Sequence, residues 1–215
     1  MRKAVIFDMD GVLVDSQPLH FQIDEAVLKD AGARPSKLEV ESHAGMANMD
    51  RWADYIKIFS LPQTPEELIE NHVKILMKLF TESSLTPTDG LLELLELLRR
   101  GGLKMAVASS SSLALINLVL NKLNIEEFFG AIATGEEVKH SKPAPDVFLK
   151  AAEKLGVSPS ECVAIEDSES GVLAAKKAQM LCIGYFNPNS GEQDLSPADR
   201  IIKSFNEVNN SLDWL

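Results

Sequence analysis

The chain has 215 residues, 45% of them apolar and 25% charged, with a net charge of −11. This composition excludes a disordered or fibrous protein. The acidic balance argues against a nucleic-acid binder, which needs clustered cations, but leaves a phosphorylated small molecule open, because local groups and a metal can reverse the field inside a pocket.

The chain starts Met1-Arg2-Lys3 and runs at once into Ala4-Val5-Ile6-Phe7, an apolar run far too short for a signal-peptide core and followed by no small-residue cleavage site. That run reads as a strand. The interval from Ser16 to Leu85 has no convincing buried strand but at least two helical patterns, Leu19–Ala31 and Pro65–Phe80. The second opens on Thr64-Pro65-Glu66-Glu67, which combines a capping residue, proline at the first helical position and early carboxylates. Gly90–Arg100 reads as a helix with a broad apolar face of Leu91, Leu92, Leu94, Leu95 and Leu98, stopped by Gly101-Gly102. From there strands at Met105–Ala108, Ala131–Thr134, Cys162–Ile165 and Leu181–Tyr185 alternate with helices at Ser112–Leu123, Pro145–Leu155 and Ser170–Ala178. The polar, turn-rich stretch Asn187–Asp199 reads as a surface loop.

Strands this continuously apolar have no wet face and belong in the middle of a parallel sheet covered on both sides. The expected fold class is therefore α/β: a Rossmann-like parallel sheet core (residues 1–15 and 86–215) with an inserted helical cap domain (residues 16–85) over the carboxyl ends of the strands. No window approaches the roughly 18 apolar residues of a membrane helix. Cys162 and Cys182 both sit in apolar strand-like runs and read as buried structural thiols. A cytoplasmic monomer with no membrane or nucleic-acid partner is expected.

Candidate chemistry gathers at the strand ends. Asp8 directly follows the first strand, with Asp10 and Gly11 close behind, so two carboxylates can converge on one site: one to attack phosphorus, the other to handle protons and a metal. Taken alone, the segment fits a solvated turn with helix-capping acids equally well. Ser109-Ser110-Ser111-Ser112 follows a strand and precedes a helix, where hydroxyls and free N–H groups bind an anion or simply cap the helix. Lys142 lies in His140-Ser141-Lys142-Pro143-Ala144-Pro145-Asp146, stiffened by two prolines. Glu166-Asp167 ends a strand and either ligates magnesium or caps the next helix. Four such segments at strand ends and one loop make coincidence a poor explanation.

Together these segments closely resemble the haloacid dehalogenase superfamily of aspartyl-nucleophile phosphatases and mutases. The resemblance lies in Asp8-Met9-Asp10-Gly11-Val12-Leu13-Val14-Asp15-Ser16, Val107-Ala108-Ser109-Ser110-Ser111, Lys142-Pro143-Ala144-Pro145-Asp146 and Ile165-Glu166-Asp167-Ser168-Glu169-Ser170-Gly171, in family order over nearly the whole chain. It is nearest to the β-phosphoglucomutase-like branch, which carries a helical cap after the first motif. The resemblance implies that Asp8 forms an aspartyl-phosphate and that Asp10 serves as acid and then base. It also implies that Ser109 and Lys142 hold the phosphoryl oxygens, and that Asp8, the Asp10 carbonyl and Asp167 hold Mg²⁺ with Glu166 beside it. Gly11, Ser110 and Ser111 join the substrate-binding set. Asp10 argues against the dehalogenase branch, which lacks this second acid.

In the cap, His20 stands where the β-phosphoglucomutase pattern has a histidine, and His43-Ala44-Gly45-Met46-Ala47-Asn48 resembles that branch's substrate loop. Asn48 replaces the arginine that would grip a second phosphate, and it offers neither the charge nor the fork. Arg51 lies one helical turn on. Lys74 reads as an exposed helix lysine, and Trp52 and Tyr55 as cap core. A mutase must hold a bisphosphate at both ends, a phosphatase only one. The expected activity is thus a Mg²⁺-dependent phosphatase acting on a small phosphorylated metabolite such as a sugar phosphate, with a phosphosugar mutase as the alternative. A non-catalytic scaffold is disfavoured by the intact acid set.

Overall fold

Ala4-Val5-Ile6-Phe7 carries no polar side chain to turn toward water, so as an extended segment it needs cover on both faces. In the computed structural model, which describes residues 2–43 and 48–210 apart from the side chains of Glu41 and Asn48, it forms the fully buried strand β1 (Ala4–Phe7). The same logic produces β2 (Lys104–Ser109), β3 (Ala131–Thr134), β4 (Cys162–Glu166) and β5 (Leu181–Tyr185). A sixth strand, β6 (Arg200–Ile202), escapes a reading of apolar runs because only Ile202 of its three residues is buried.

The strands lie in the order β3-β2-β1-β4-β5-β6, all parallel. The chain therefore works outward from β1 in one direction and then returns to lay β4 on its other side. Open α/β sheets bind ligands at such a reversal, outside the carboxyl ends of the strands. The register places Phe7 opposite both Val107 and Ile165, so Asp8, Ala108 and Glu166 follow at one level.

The chain divides into two compact units, one made of the segments up to Asp15 and from Leu85 onward, the other of Ser16–Ser84. The second unit contains α1 (Gln17–Asp30), α2 (Lys37–Glu41), α3 (Asn48–Phe59) and α4 (Pro65–Glu82). Helix α1 packs on α2 and α4, and α3 on α4, around Ile23, Val27, Leu28, Leu68 and Phe80. Trp52 and Tyr55 are fully buried there with ring centroids 5.5 Å apart, which makes them core. The start of α4 is a reciprocal cap: Thr64 N–H donates to Glu67 Oε2 at 2.9 Å, and Glu67 N–H to Thr64 Oγ1 at 3.3 Å.

In the sheet-containing unit the helices are α5 (Leu91–Arg100), α6 (Leu113–Leu123), α7 (Asp146–Leu155) and α8 (Glu169–Lys177). The apolar face of α5 is narrower than the leucine pattern suggests: Leu91, Leu94, Leu95 and Leu98 are buried, whereas Leu92 is 42% exposed. Helix α7 packs across β1, β2 and β3, and α8 against β4 and β5. Cys162 and Cys182 are free and buried, and burial raises their thiols to about 11 and about 12, as befits inert core residues. Among the described residues no helix is long and apolar enough to cross a membrane.

Phe148 of α7 is fully buried in the cluster with Ile6, Ala106, Ala108 and Ala164. Phe148→Ala leaves a cavity beneath the central strands and is expected to cost about 3–5 kcal/mol. Urea unfolding followed by circular dichroism checks this through a fall in the transition midpoint.

Candidate active site

The strands that flank the reversal point deliver the acids of the site. Asp8 leaves the end of β1, where its N–H still donates to Ile165 O at 2.9 Å, and its side chain is buried. Glu166 is the last residue of β4 and fully buried; Asp167 follows it, also buried. Ser109 ends β2 at 1% exposure. Lys142 comes from the loop before α7 and reaches all three strands: its Nζ donates to Asp8 Oδ1 at 2.5 Å, Glu166 Oε1 at 2.6 Å and Ala108 O at 3.2 Å. The ammonium also lies 5.1 Å from the ring centre of Phe148.

Glu166 has both oxygens occupied. Lys142 takes Oε1, and Oε2 accepts from the N–H groups of Asp167 at 3.0 Å and Ser168 at 3.2 Å and from Ser168 Oγ at 3.0 Å. It therefore anchors Lys142 to the start of α8. Asp10 accepts from Ser111 Oγ at 3.0 Å, which links the segment after β1 to the one after β2. Within the serine run the tasks divide. Ser109 Oγ accepts from Ser111 N–H at 3.1 Å, Ser112 caps α6 by accepting from Leu115 N–H at 3.4 Å, and Ser110 is exposed.

Gly11 has φ +83°, and a Cβ there would fall 1.9 Å from Asp167 Oδ2. The backbone turn and the close approach both require glycine. Gly171 serves similarly in α8, where a Cβ would fall 1.8 Å from Glu166 Oε1.

The electrostatics are unbalanced. Burial raises the Asp8 carboxyl most; Lys142 opposes this, but Glu166, Asp167 and Asp10 push it up again, to well above its ordinary value. Asp167 is raised to about 7, first by burial and then by Glu166, against the Ser190 hydrogen bond and Lys142. Burial alone would lower the Lys142 ammonium, yet Asp8 and Glu166 outweigh it and the net shift is upward. One buried ammonium thus sits among more carboxylates than it can neutralise. Asp8, Glu166 and Asp167 each offer an oxygen within 4.8 Å of the others. Hard oxygen donors with excess negative charge fit a divalent cation such as Mg²⁺, whose charge would relieve the repulsion.

A family model described as haloacid dehalogenase-like hydrolase matches residues 5–185. The chain belongs to the haloacid dehalogenase-like hydrolases. It is 35% identical over 185 residues to hexitol phosphatase B of Escherichia coli (strain K12), covering 84% of this chain and 82% of that one. It is 32% identical over 215 residues to the β-phosphoglucomutase of Bacillus subtilis (strain 168), covering 96% and 91%. Among solved structures, CbbY from Rhodobacter sphaeroides in complex with phosphate superposes with a TM-score of 0.83 at 26% identity, over 97% of this chain and 96% of that one.

Of the residues that the haloacid dehalogenase motifs single out, the sheet-containing unit gathers Asp8, Asp10, Gly11, Ser109, Ser111, Lys142, Glu166 and Asp167 through these contacts, while Ser110 stands apart at the surface. His20 lies on α1 with its ring 5.6 Å from that of Phe80. Gly45 and the side chain of Asn48 lie outside the described residues. Lys74 is exposed and pairs with Glu70 at 2.7 Å. Motif reasoning missed the segment after β5. It reads as a surface loop, yet Asn187 and Ser190 are buried and bond to the Gly11–Asp15 segment and to Asp167. Composition carries no signal for this, because the same polar residues suit a solvated loop.

The helical unit has its own buried charges. Asp24 lies 3.4 Å from Arg51 Nη1 and 3.6 Å from His72 Nε2. Burial, then Arg51 and His20, lowers His72 to about 3 from 6.5. The folded protein keeps this imidazole neutral where the unfolded chain takes up a proton. Stability from this source is full above pH 6.5 and is lost as pH falls toward 3. Asp24 is raised, chiefly by burial, and works in the opposite direction over its own range. His72→Gln is expected to shrink the drop in melting temperature between pH 7 and pH 5, measured by scanning calorimetry; an unchanged drop would exclude His72 as its source.

Proposed function

We propose that this protein is a Mg²⁺-dependent phosphatase that hydrolyses a small phosphorylated sugar through a phosphoryl group carried on Asp8. The observation that carries the reading is the buried Asp8 carboxylate, held at Oδ1 by Lys142 and set beside Asp167 at the β1/β4 reversal. An oxygen of Asp8 attacks phosphorus as the bond to the sugar oxygen breaks, and Asp10 gives the departing oxygen its proton. Asp10 then takes a proton from water, whose oxygen displaces Asp8 from phosphorus and releases inorganic phosphate. Lys142 and Ser109 hold the phosphoryl oxygens where charge develops. Asp8, Asp167 and the Asp10 carbonyl would hold the Mg²⁺, which when bound offsets repulsion between nucleophile and phosphate. Glu166 positions Lys142. Two free buried cysteines suit a reducing cytoplasm.

Sugar phosphates are the substrate class favoured by the relatives, which include a hexitol phosphatase and a fructose-1-phosphate phosphatase. The β-phosphoglucomutase relative supports the second reading, phosphosugar isomerisation. Two features weigh against it. Asn48 carries no charge, and Arg51, the nearby cation that could replace one, is paired with Asp24 at 3.4 Å.

Asp8→Asn is expected to lower magnesium-dependent hydrolysis of an aryl phosphate by on the order of 10⁴-fold or more; equal rates in the two proteins would remove Asp8 as nucleophile. A time course with β-glucose 1-phosphate and a bisphosphate primer separates the two activities. Release of free phosphate is expected, and fast conversion to glucose 6-phosphate with little free phosphate would sink the phosphatase reading.

A further inference from the structure

The loop that follows β5 contributes no group to the proposed chemistry, yet it is wired into the site from two sides. Ser190 is 4% exposed, and its Oγ donates to Asp167 Oδ2. The serine is itself held at both backbone groups: its N–H donates to Asn187 O at 3.2 Å, and its carbonyl accepts from Gln193 Nε2 at 3.0 Å. Gln193 in turn accepts from Glu169 N–H at 3.0 Å, at the start of α8. Asn187 Nδ2 donates to Gly11 O and Asp15 Oδ1, both at 3.2 Å, and Asn189 Nδ2 to Asp15 Oδ2 at 2.6 Å. The loop therefore clasps the segment after β1 to the segment after β4.

We propose that Ser190 is a positioning residue for Asp167, and that its hydrogen bond sets the affinity of the site for a divalent cation. This rests on the reading that the site takes Mg²⁺. A carboxylate that is free to rotate presents either oxygen and loses that freedom on binding. Here Oδ2 accepts from the Ser190 hydroxyl, and Gly11 leaves no space beside it for a side chain, so the group is held in one rotation next to Asp8 and Glu166. A neutral hydroxyl orients the group without cancelling the charge that a cation needs. Groups that orient metal ligands in this way typically contribute 10–100-fold in affinity.

Isothermal titration of the metal-stripped full-length protein with MgCl₂ tests this, alongside the melting temperature in the absence of metal. Ser190→Ala is expected to weaken Mg²⁺ binding by about 10–100-fold, and Ser190→Thr, which keeps the hydroxyl, to recover most of the loss. If the alanine variant does not fold, Ser190→Cys carries the same expectation, since its thiol is a much weaker donor. Unchanged Mg²⁺ affinity in these variants, with or without a fall in melting temperature, overturns the proposal and leaves Ser190 a structural residue. Failure of the parent protein to bind Mg²⁺ overturns the magnesium reading itself and the inference with it, so the two failures are distinguishable.

Discussion

The ammonium of Lys142 lies between Asp8, at the end of β1, and Glu166, at the end of β4, within 2.6 Å of both. Charges taken out of water are costly, and they survive only when geometry and hydrogen bonds hold them in place. Two adjacent parallel strands supply that rigidity, because their register brings Asp8 and Glu166 to one level. The lysine then holds an oxygen of Asp8 in place inside the protein and opposes the rise that burial and the neighbouring acids impose on its carboxyl. It cannot neutralise the whole cluster, and the remaining negative charge is what makes the site suited to a divalent cation and, through it, to a phosphate.

This arrangement leaves almost no room. Gly11 and Gly171 bring backbone against the carboxylates of Asp167 and Glu166, so the side chains that carry charge are walled by main chain rather than by adjustable neighbours. The hydrogen bonds of Ser168 to Glu166 and of Ser190 to Asp167 add to this confinement. Catalytic precision of this kind comes from locking the groups behind the reacting ones, and here the locking residues come from three separate stretches of the chain.

The two units bury charge in different ways. The sheet-containing unit gathers acids around a single ammonium, with an excess of carboxylates. The helical unit differs in kind: it buries an Asp24–Arg51 pair and a neutral His72 among aromatic residues. A guanidinium committed to a buried carboxylate is a poor clamp for a second phosphate, which supports the proposed phosphatase activity over the mutase alternative.

Much of this was written in local sequence. Strands β1 to β5 follow from apolar runs that need cover on both faces, α4 from its capping box, and the candidate acids from their places at strand ends. These signals are local because backbone geometry and burial act over a few residues. Strand β6 was illegible because an edge strand needs only one buried residue, and α2 and α3 because short amphipathic stretches lack a distinctive pattern. The sequence also could not divide the serines between capping α6 and bonding Asp10, because each role uses the same hydroxyl. Ser190 is the clearest case. Nothing distinguishes it from any serine in a polar loop, and only the folding of that loop onto Asp167 and Gly11 gives it a role. The sequence by itself determined strands β1 to β5 and the identity of the acids at their ends. Tertiary structure alone decided which oxygen meets which donor, because hydrogen bonds between residues more than twenty positions apart depend on how the strands are laid side by side.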